Sequence, residues 1–234
     1  RTKEKIVLAM GGDGTVNEVI NGLKKDQTLG IIPCGTSNVL AKEFGIPRNA
    51  VKAAKQICKL RTIKIDVGYS NKKRFFMTTG IGFDASAITK VRSQFKKVFG
   101  ELAYYVATLE ALRDYKPVEM KVTLDHKKVV HGHFVVINNL LTYGHVLKLT
   151  PDPDFSDGKL DVVVIKTENV MKAINYLGKA ALKNPQKQDG IFFSKAKHIK
   201  ISSKKPVLFH RDAEISGTTP VTVTVKKRAL KLLY

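Results

Sequence analysis

Two carboxylates, Asp212 and Glu214, lie two residues apart in a strand-like run near the end of a 234-residue chain. Alternation along a strand puts both on one face, about two residue rises apart, with Arg211 pointing the other way. At a cleft, one member of such a pair can take a proton from a hydroxyl while the other orients that hydroxyl or a metal. Away from a cleft the pair is a solvated strand face. At the opposite end of the chain, Gly11-Gly12-Asp13-Gly14-Thr15-Val16-Asn17-Glu18 follows the apolar run Ile6–Met10 and leads into a helical pattern over 16–25. Glycines accept positive φ and let a ligand approach bare backbone, and a helix N-terminus offers orphan N–H donors with a partial positive charge. The chemistry is phosphate binding, although a tight strand-to-helix turn without a ligand has the same composition.

A second segment repeats the logic. Gly30-Ile31-Ile32-Pro33-Cys34-Gly35-Thr36-Ser37-Asn38 is a short strand, a glycine turn and small polar residues before another helix. Two consecutive βα turns should stand side by side at the carboxyl edge of one sheet, where α/β folds bind ligands. Neither is a P-loop or a GxGxxG turn. Further along, Asp154 and Asp157 flank a Ser/Gly turn. With the free carbonyl of Lys159 they could hold a hard cation through oxygen ligands, or simply bond their own turn backbone. Asp161 reads as the solvated start of the next strand. His131 and His133 share a strand face without a third ligand and read as surface or core histidines.

The elements that must position these groups fall into two regimes. Up to about residue 60 the pattern is strand 6–10, helix 16–25, strand 29–33, helix 38–44 and helix 49–58, with Ile46-Pro47 marking a break. Beyond it, strands with period-two alternation are expected over 62–67, 74–78, 119–125, 128–138, 160–166, 198–202, 207–209 and 221–225. Helices are expected over 104–114 and 169–182, the first with Leu102, Val106, Leu109 and Leu112 on its apolar side. A βα start followed by antiparallel strands predicts an α/β unit, residues 1–62, and a β-sandwich, residues 63–234, whose last strands can return to the first unit.

Forty-one Lys and Arg against 20 Asp and Glu give a net charge of +21. Such a surface seeks polyanions, whether nucleotide, nucleic acid or an anionic membrane. No zinc-finger, RRM or aromatic-interleaved basic motif is present, which argues against nucleic acid. Cys34 and Cys58 lack metal-ligand company and read as reduced thiols. No apolar run reaches the roughly 18 residues of a membrane span, and no signal-peptide pattern appears. A soluble, cytoplasmic protein, peripheral at most to a membrane, is therefore expected. The chain starts one strand before the first glycine turn. An α/β nucleotide domain needs more strands than the two or three visible, so a missing N-terminal portion is expected.

Taken in order, these segments resemble the diacylglycerol kinase and sphingosine kinase-like lipid kinases, whose GGDGT motif is shared with NAD kinases. Ile65-Asp66-Val67-Gly68 resembles the family's strand start after the first domain, and Gly80-Ile81-Gly82-Phe83-Asp84-Ala85 its GxGFDA element. Leu149-Thr150-Pro151 with Asp154 to Asp161 resembles the segment ending in DGxLD, and His210-Arg211-Asp212-Ala213-Glu214 stands in place of its DGE. Pro220 and Ala229-Leu230-Lys231-Leu232 match its final strands. Two departures stand out. Ala213 replaces the family's glycine, and is tolerated if its φ stays negative. Val39 stands where many bacterial relatives have aspartate, a loss from the polar network beneath the phosphates unless Asp66 compensates.

The resemblance implies an NAD kinase-like, partial α/β nucleotide-binding domain followed by an antiparallel β-sandwich, and an ATP-dependent kinase of the bacterial diacylglycerol kinase type. ATP would contact Gly11, Gly12, Asp13, Gly14, Thr15, Val16, Asn17, Glu18, Thr36 and Asn38, with Asp13 and Asp66 organising Mg2+ or water. Asp212 would be the general base beside Glu214, with Lys42 adding charge, and a separate structural Mg2+ would sit on Asp154, Asp157 and Lys159. The implied partners are a lipid substrate and an anionic membrane surface, with a homodimer open. An NAD kinase-like enzyme and a non-catalytic nucleotide- or lipid-binding relative are the alternatives.

Overall fold

A computed structural model describes residues 3–90, 115–142, 153–173, 175–176 and 190–234. The helix expected over 104–114, the Leu149–Pro151 segment and most of the helix expected over 169–182 lie outside the described residues. The chain opens with β1 (Ile6–Gly11), α1 (Asp13–Gly22), β2 (Thr28–Pro33), α2 (Val39–Glu43) and α3 (Ala50–Ile57). β1 and β2 are parallel, with Gly11 level with Pro33, so both glycine turns leave the same sheet edge. Helix α1 begins at Asp13, three residues earlier than the apolar pattern predicts, because the glycine cluster forms its first turn. Val16 and Ile20 on α1 pack with Leu29, Ile31, Leu40 and Ala53 in one core.

The second regime contains β3 (Thr62–Ser70), β4 (Lys73–Phe75), β5 (Thr78–Ile81), α4 (Phe83–Lys90), β6 (Met120–Leu124), β7 (Lys128–Gly132) and β8 (Phe134–Asn138). It continues through β9 (Leu160–Ile165), β10 (Ile191–Ala196), β11 (His198–Ser203), β12 (Leu208–Arg211), β13 (Glu214–Thr218) and β14 (Val221–Leu233). One sheet of eight strands runs β1-β2-β14-β11-β6-β7, with β3 and β4 alongside β14. The other, of six, runs β10-β9-β8-β5-β12-β13, and every pairing in it is antiparallel. A second core fills the space between the sheets with Phe75, Ile81, Val122, Val135, Ile137, Val162, Ile199, Phe209 and Val223. Phe134, Val136, Val163 and Ile165 point to the far face of the second sheet and join a third core with Phe83 and Tyr115. Both faces of β8 and β9 are thus covered, which is why they read as continuous apolar runs.

The expected strand over 128–138 is in fact two strands in different sheets. The alternation passes through a corner at Gly132, where a Cβ would overlap Val164 Cγ1 and the Ile165 backbone. The same corner separates His131 from His133. His131 Nδ1 lies 3.7 Å from Glu119, while His133 Nδ1 lies 2.9 Å from the Lys166 carbonyl oxygen, to which it donates. They share no strand face. Strand β14 is far longer than expected and bulges between Lys226 and Leu230, where Arg228 has φ +49. Beyond the bulge it pairs in parallel with β2, with Leu232 level with Leu29. Arg74 of β4 donates to the Ile20 and Leu23 carbonyls at 2.7 and 3.0 Å, placing a cation on the C-terminal end of α1.

Candidate active site

The two glycine turns touch through their backbones. A Cβ on Gly35 would overlap Gly12 Cα, and one on Gly12 would stand 3.2 Å from Gly35 Cα. Neither glycine has a positive φ, so it is this close approach that demands them. Gly12 caps α1 with no side-chain hydrogen bond, which leaves the first-turn N–H groups at Gly14 and Thr15 without a side-chain acceptor; both residues are exposed. Asn38, in the left-handed region at φ 48, clamps the second turn. Its Oδ1 accepts from Gly35 N at 2.9 Å and its Nδ2 donates to Gly35 O at 2.7 Å.

Asp13 ties the turns together. Burial raises its carboxyl above the usual aspartate value, opposed by hydrogen bonds from the backbone N–H groups of Val39, Leu40 and Asn38. That carboxylate faces the start of α2, and Val39 packs its side chain against the apolar core. Of the other expected contact residues, Thr15 folds over Gly11, and Thr36 and Glu18 are exposed. Val16 is buried in the core, and Asn17 is buried with its Oδ1 accepting from Asn21 at 2.9 Å. Those two side chains support the turn from beneath. Lys42 is exposed on α2.

Asp66 is not brought to these turns. It is fully buried, and its carboxylate accepts from Gly158 N and Arg228 N, each at 2.6 Å. Burial raises its carboxyl, with the negative charges of Asp157 and Asp154 adding to the shift. It therefore cannot replace a carboxylate lost at Val39. The same cluster tests the expected Mg2+ site. Asp154 Oδ1 accepts from Ser156 N and Oγ at 2.7 and 2.9 Å. Asp157 Oδ1 accepts from Lys159 N, and its Oδ2 holds the Lys195 ammonium at 2.8 Å. Among the described residues no group of three or more His, Cys, Asp or Glu side chains is arranged for a metal ion. In this arrangement the Lys195 ammonium occupies Asp157 Oδ2, so a divalent cation on Asp154, Asp157 and the Lys159 carbonyl would have to displace it.

The carboxylate pair is arranged differently from its expected strand face. Asp212 and Ala213 form the two-residue turn between β12 and β13, with φ values of 45 and 64, the double positive φ of a type I′ hairpin. The turn sends the two acids to different jobs. Asp212 Oδ2 accepts from Phe76 N at 3.0 Å, and its Oδ1 from Met77 N and Thr78 N at 2.9 and 3.0 Å. It stitches the crossover from β4 in one sheet to β5 in the other. Burial pushes its carboxyl up to about 6 against those donors. Glu214 is exposed, and its Oε1 lies 3.5 Å from where a Cβ on Gly14 would stand. Asp212, the expected base, is thus buried against three backbone donors, whereas Glu214 is the exposed carboxylate that reaches the first glycine turn. Ala213 holds a positive φ, contrary to the condition under which alanine is easily tolerated.

Two neighbours escaped sequence reasoning. His210, buried in β12, places Nε2 2.6 Å from Asp84 Oδ2 at the start of α4. Glu43 accepts from Leu141 N, Thr142 N and Thr142 Oγ1 at 2.6, 3.1 and 2.8 Å, latching α2 to the end of β8. Asp84 is visible inside the GFDA element, but nothing in spacing pairs it with a histidine 126 residues away.

Comparison with known proteins agrees along the whole chain. Residues 1–70 match the diacylglycerol kinase catalytic domain, and residues 78–234 the YegS C-terminal NAD kinase beta sandwich-like domain. The diacylglycerol kinase of Bacillus subtilis is 33% identical over 221 residues, covering 92% of this chain and 73% of that protein. The Staphylococcus haemolyticus diacylglycerol kinase is 29% identical, covering 97% and 70%. A crystal structure of a diacylglycerol kinase from Bacillus anthracis superposes with TM-score 0.75 at 26% identity, covering 99% of this chain and 77% of its own. An NAD kinase from Archaeoglobus fulgidus in complex with ATP shares the fold alone, with TM-score 0.52 at 10% identity, covering 98% and 78%.

Proposed function

This chain belongs to the diacylglycerol kinase family, and we propose that it transfers the γ-phosphoryl group of ATP to the primary hydroxyl of a lipid, diacylglycerol above all. The observation that carries the reading is Glu214 Oε1 beside Gly14. An exposed carboxylate from the sandwich there meets the uncapped start of α1 from the α/β unit. The N–H groups of the first turn of α1 and the hydroxyls of Thr15 and Thr36 hold the nucleotide phosphates. Glu214 accepts the hydroxyl proton as the oxygen attacks the γ-phosphorus in line and the bond to the β-phosphate oxygen breaks, releasing ADP, and Asp212 holds the turn from which Glu214 projects. Mg2+ bound to the nucleotide would supply neutralisation of phosphate charge. Because such transfer depends chiefly on positioning and charge, the contact between the two glycine turns matters as much as the base.

No helix among the described residues is long and apolar enough to cross a membrane. The excess of 41 basic over 20 acidic residues favours attachment to an anionic leaflet, at about 1 kcal/mol per lysine near the surface. The test is ³²P transfer from ATP to diacylglycerol in mixed micelles containing anionic lipid, with NAD as a second acceptor. Lipid phosphorylation that disappears in Glu214→Gln supports the proposal. Transfer to NAD instead would make the chain an NAD kinase-like enzyme, and nucleotide binding with no transfer would make it a non-catalytic relative.

A further inference from the structure

His210 sits directly behind the hairpin turn that carries Glu214, and both of its ring nitrogens are engaged. Its side chain is 2% exposed, and Nε2 meets Asp84 Oδ2 at 2.6 Å. Nδ1 accepts from the backbone N–H of Ala213 at 3.3 Å. An accepting Nδ1 carries no proton, so the hydrogen is on Nε2 and is donated to Asp84. The carboxylate therefore sets the tautomer, and the tautomer gives the turn an acceptor at the residue held at φ 64. A second observation is independent of the hydrogen bonds. Gly80 of β5 lies opposite His210, and a Cβ there would overlap both Asp84 Oδ2 and His210 Nε2. Gly80 has no positive φ, so backbone conformation does not require its glycine. What requires it is room for the imidazole–carboxylate contact.

We propose that Gly80, Asp84 and His210 form a positioning device for the reaction, in which Asp84 orients His210 and His210 holds the Asp212-Ala213 turn so that Glu214 faces Gly14. His210 is a positioning residue, since it reaches the substrate only through Glu214. The inference rests on the reading of Glu214 as the proton acceptor.

The device is tested on the full chain with Gly80→Ala, His210→Leu, His210→Asn and Glu214→Gln, measuring kcat and KM for ATP. Misplacing the carboxylate by about 1 Å should lower kcat by roughly 10- to 100-fold in Gly80→Ala and His210→Leu. KM for ATP should stay within about twofold, because the glycine turns are untouched. His210→Asn keeps an acceptor near the position of Nδ1 and should recover most of the loss. Wild-type kcat in Gly80→Ala and His210→Leu, with Glu214→Gln inactive, would overturn the device while leaving the Glu214 reading intact. An active Glu214→Gln would overturn that reading and the device with it. A ¹⁵N spectrum of His210 in the wild-type protein needs no variant to fold. A protonated Nε2 with a bare Nδ1 supports the device, and a protonated Nδ1 overturns it.

Discussion

Replacing Gly35 by alanine isolates the contact between the two glycine turns. The added Cβ would overlap Gly12 Cα and stand 2.9 Å from Asn38 Oδ1, whereas non-bonded carbons rest at roughly 3.5–4.0 Å. The turns must separate by about 1 Å, and the Asn38 clamp on Gly35 must give as well. Gly35 lacks a positive φ, so alanine carries no dihedral penalty and would by itself stabilise the chain by about 0.4–1 kcal/mol through the unfolded state. Overpacking against backbone costs about 1–3 kcal/mol. The net loss of about 1–2 kcal/mol lowers the melting temperature by roughly 2–8 °C for a chain of this size. Function should suffer more, because a 1 Å displacement of positioned groups can cost about 100-fold. The assay pairs thermal unfolding with kcat/KM for ATP. Gly12→Ala, at 3.2 Å, should give a smaller loss, and Gly22→Ala, whose Cβ meets nothing within 4 Å, should show none. A Gly35→Ala protein with kcat/KM for ATP within about twofold of wild type would refute the idea that turn-to-turn packing shapes the phosphate site.

Ala213→Gly should raise the melting temperature by about 1–3 °C, since relief of the left-handed strain, about 1–2 kcal/mol, exceeds the entropy of an added glycine, about 0.5–1 kcal/mol; a lower value would mean the turn carries no strain. Asp212 has its folded pKa raised from 3.8 to about 6, so the folded state binds the proton more tightly than the unfolded chain. Its contribution is fully present below pH 3.8 and declines as pH rises through about 6, by about 3 kcal/mol in all. Urea midpoints of wild type relative to Asp212→Asn should therefore fall across that window, and a rise would mean that the three backbone donors outweigh burial. Because the Lys195 ammonium already neutralises Asp157, neither MgCl2 nor EDTA should change the wild-type melting temperature in the absence of nucleotide, whereas Lys195→Met should become Mg2+-stabilised. A Mg2+-dependent wild type would reject the lysine as occupant of that site.

The glycine turns were legible because their signal is local. Gly11 to Glu18 and Gly35 to Asn38 each follow an apolar strand, and two consecutive βα units leave little freedom but to place both turns at one sheet edge. The alternating strands beyond residue 60 identified antiparallel sheets for the same reason, since period two is a property of the chain itself. The corner at Gly132 was hidden because alternation runs through it unbroken, and the second half of β14 because its partner β2 lies about 200 residues earlier. The carboxylates divide along this line. Spacing marked Asp212 and Glu214 as a pair, but a strand and a two-residue I′ turn place the same two residues in opposite ways, and only the pairing of Arg211 with Glu214 decides between them. Asp66 shows the same limit, since its acidity is in the sequence but Gly158 and Arg228, whose backbone N–H groups donate to it, are 92 and 162 residues away. The two regimes of strand and helix, and the candidates for holding phosphate or accepting a proton, could be read from the sequence because they follow from side-chain type and local periodicity. Tertiary structure alone decided which carboxylate is buried scaffolding and which stands beside the first glycine turn, because burial and backbone donors come from strands that meet only when the two sheets pack.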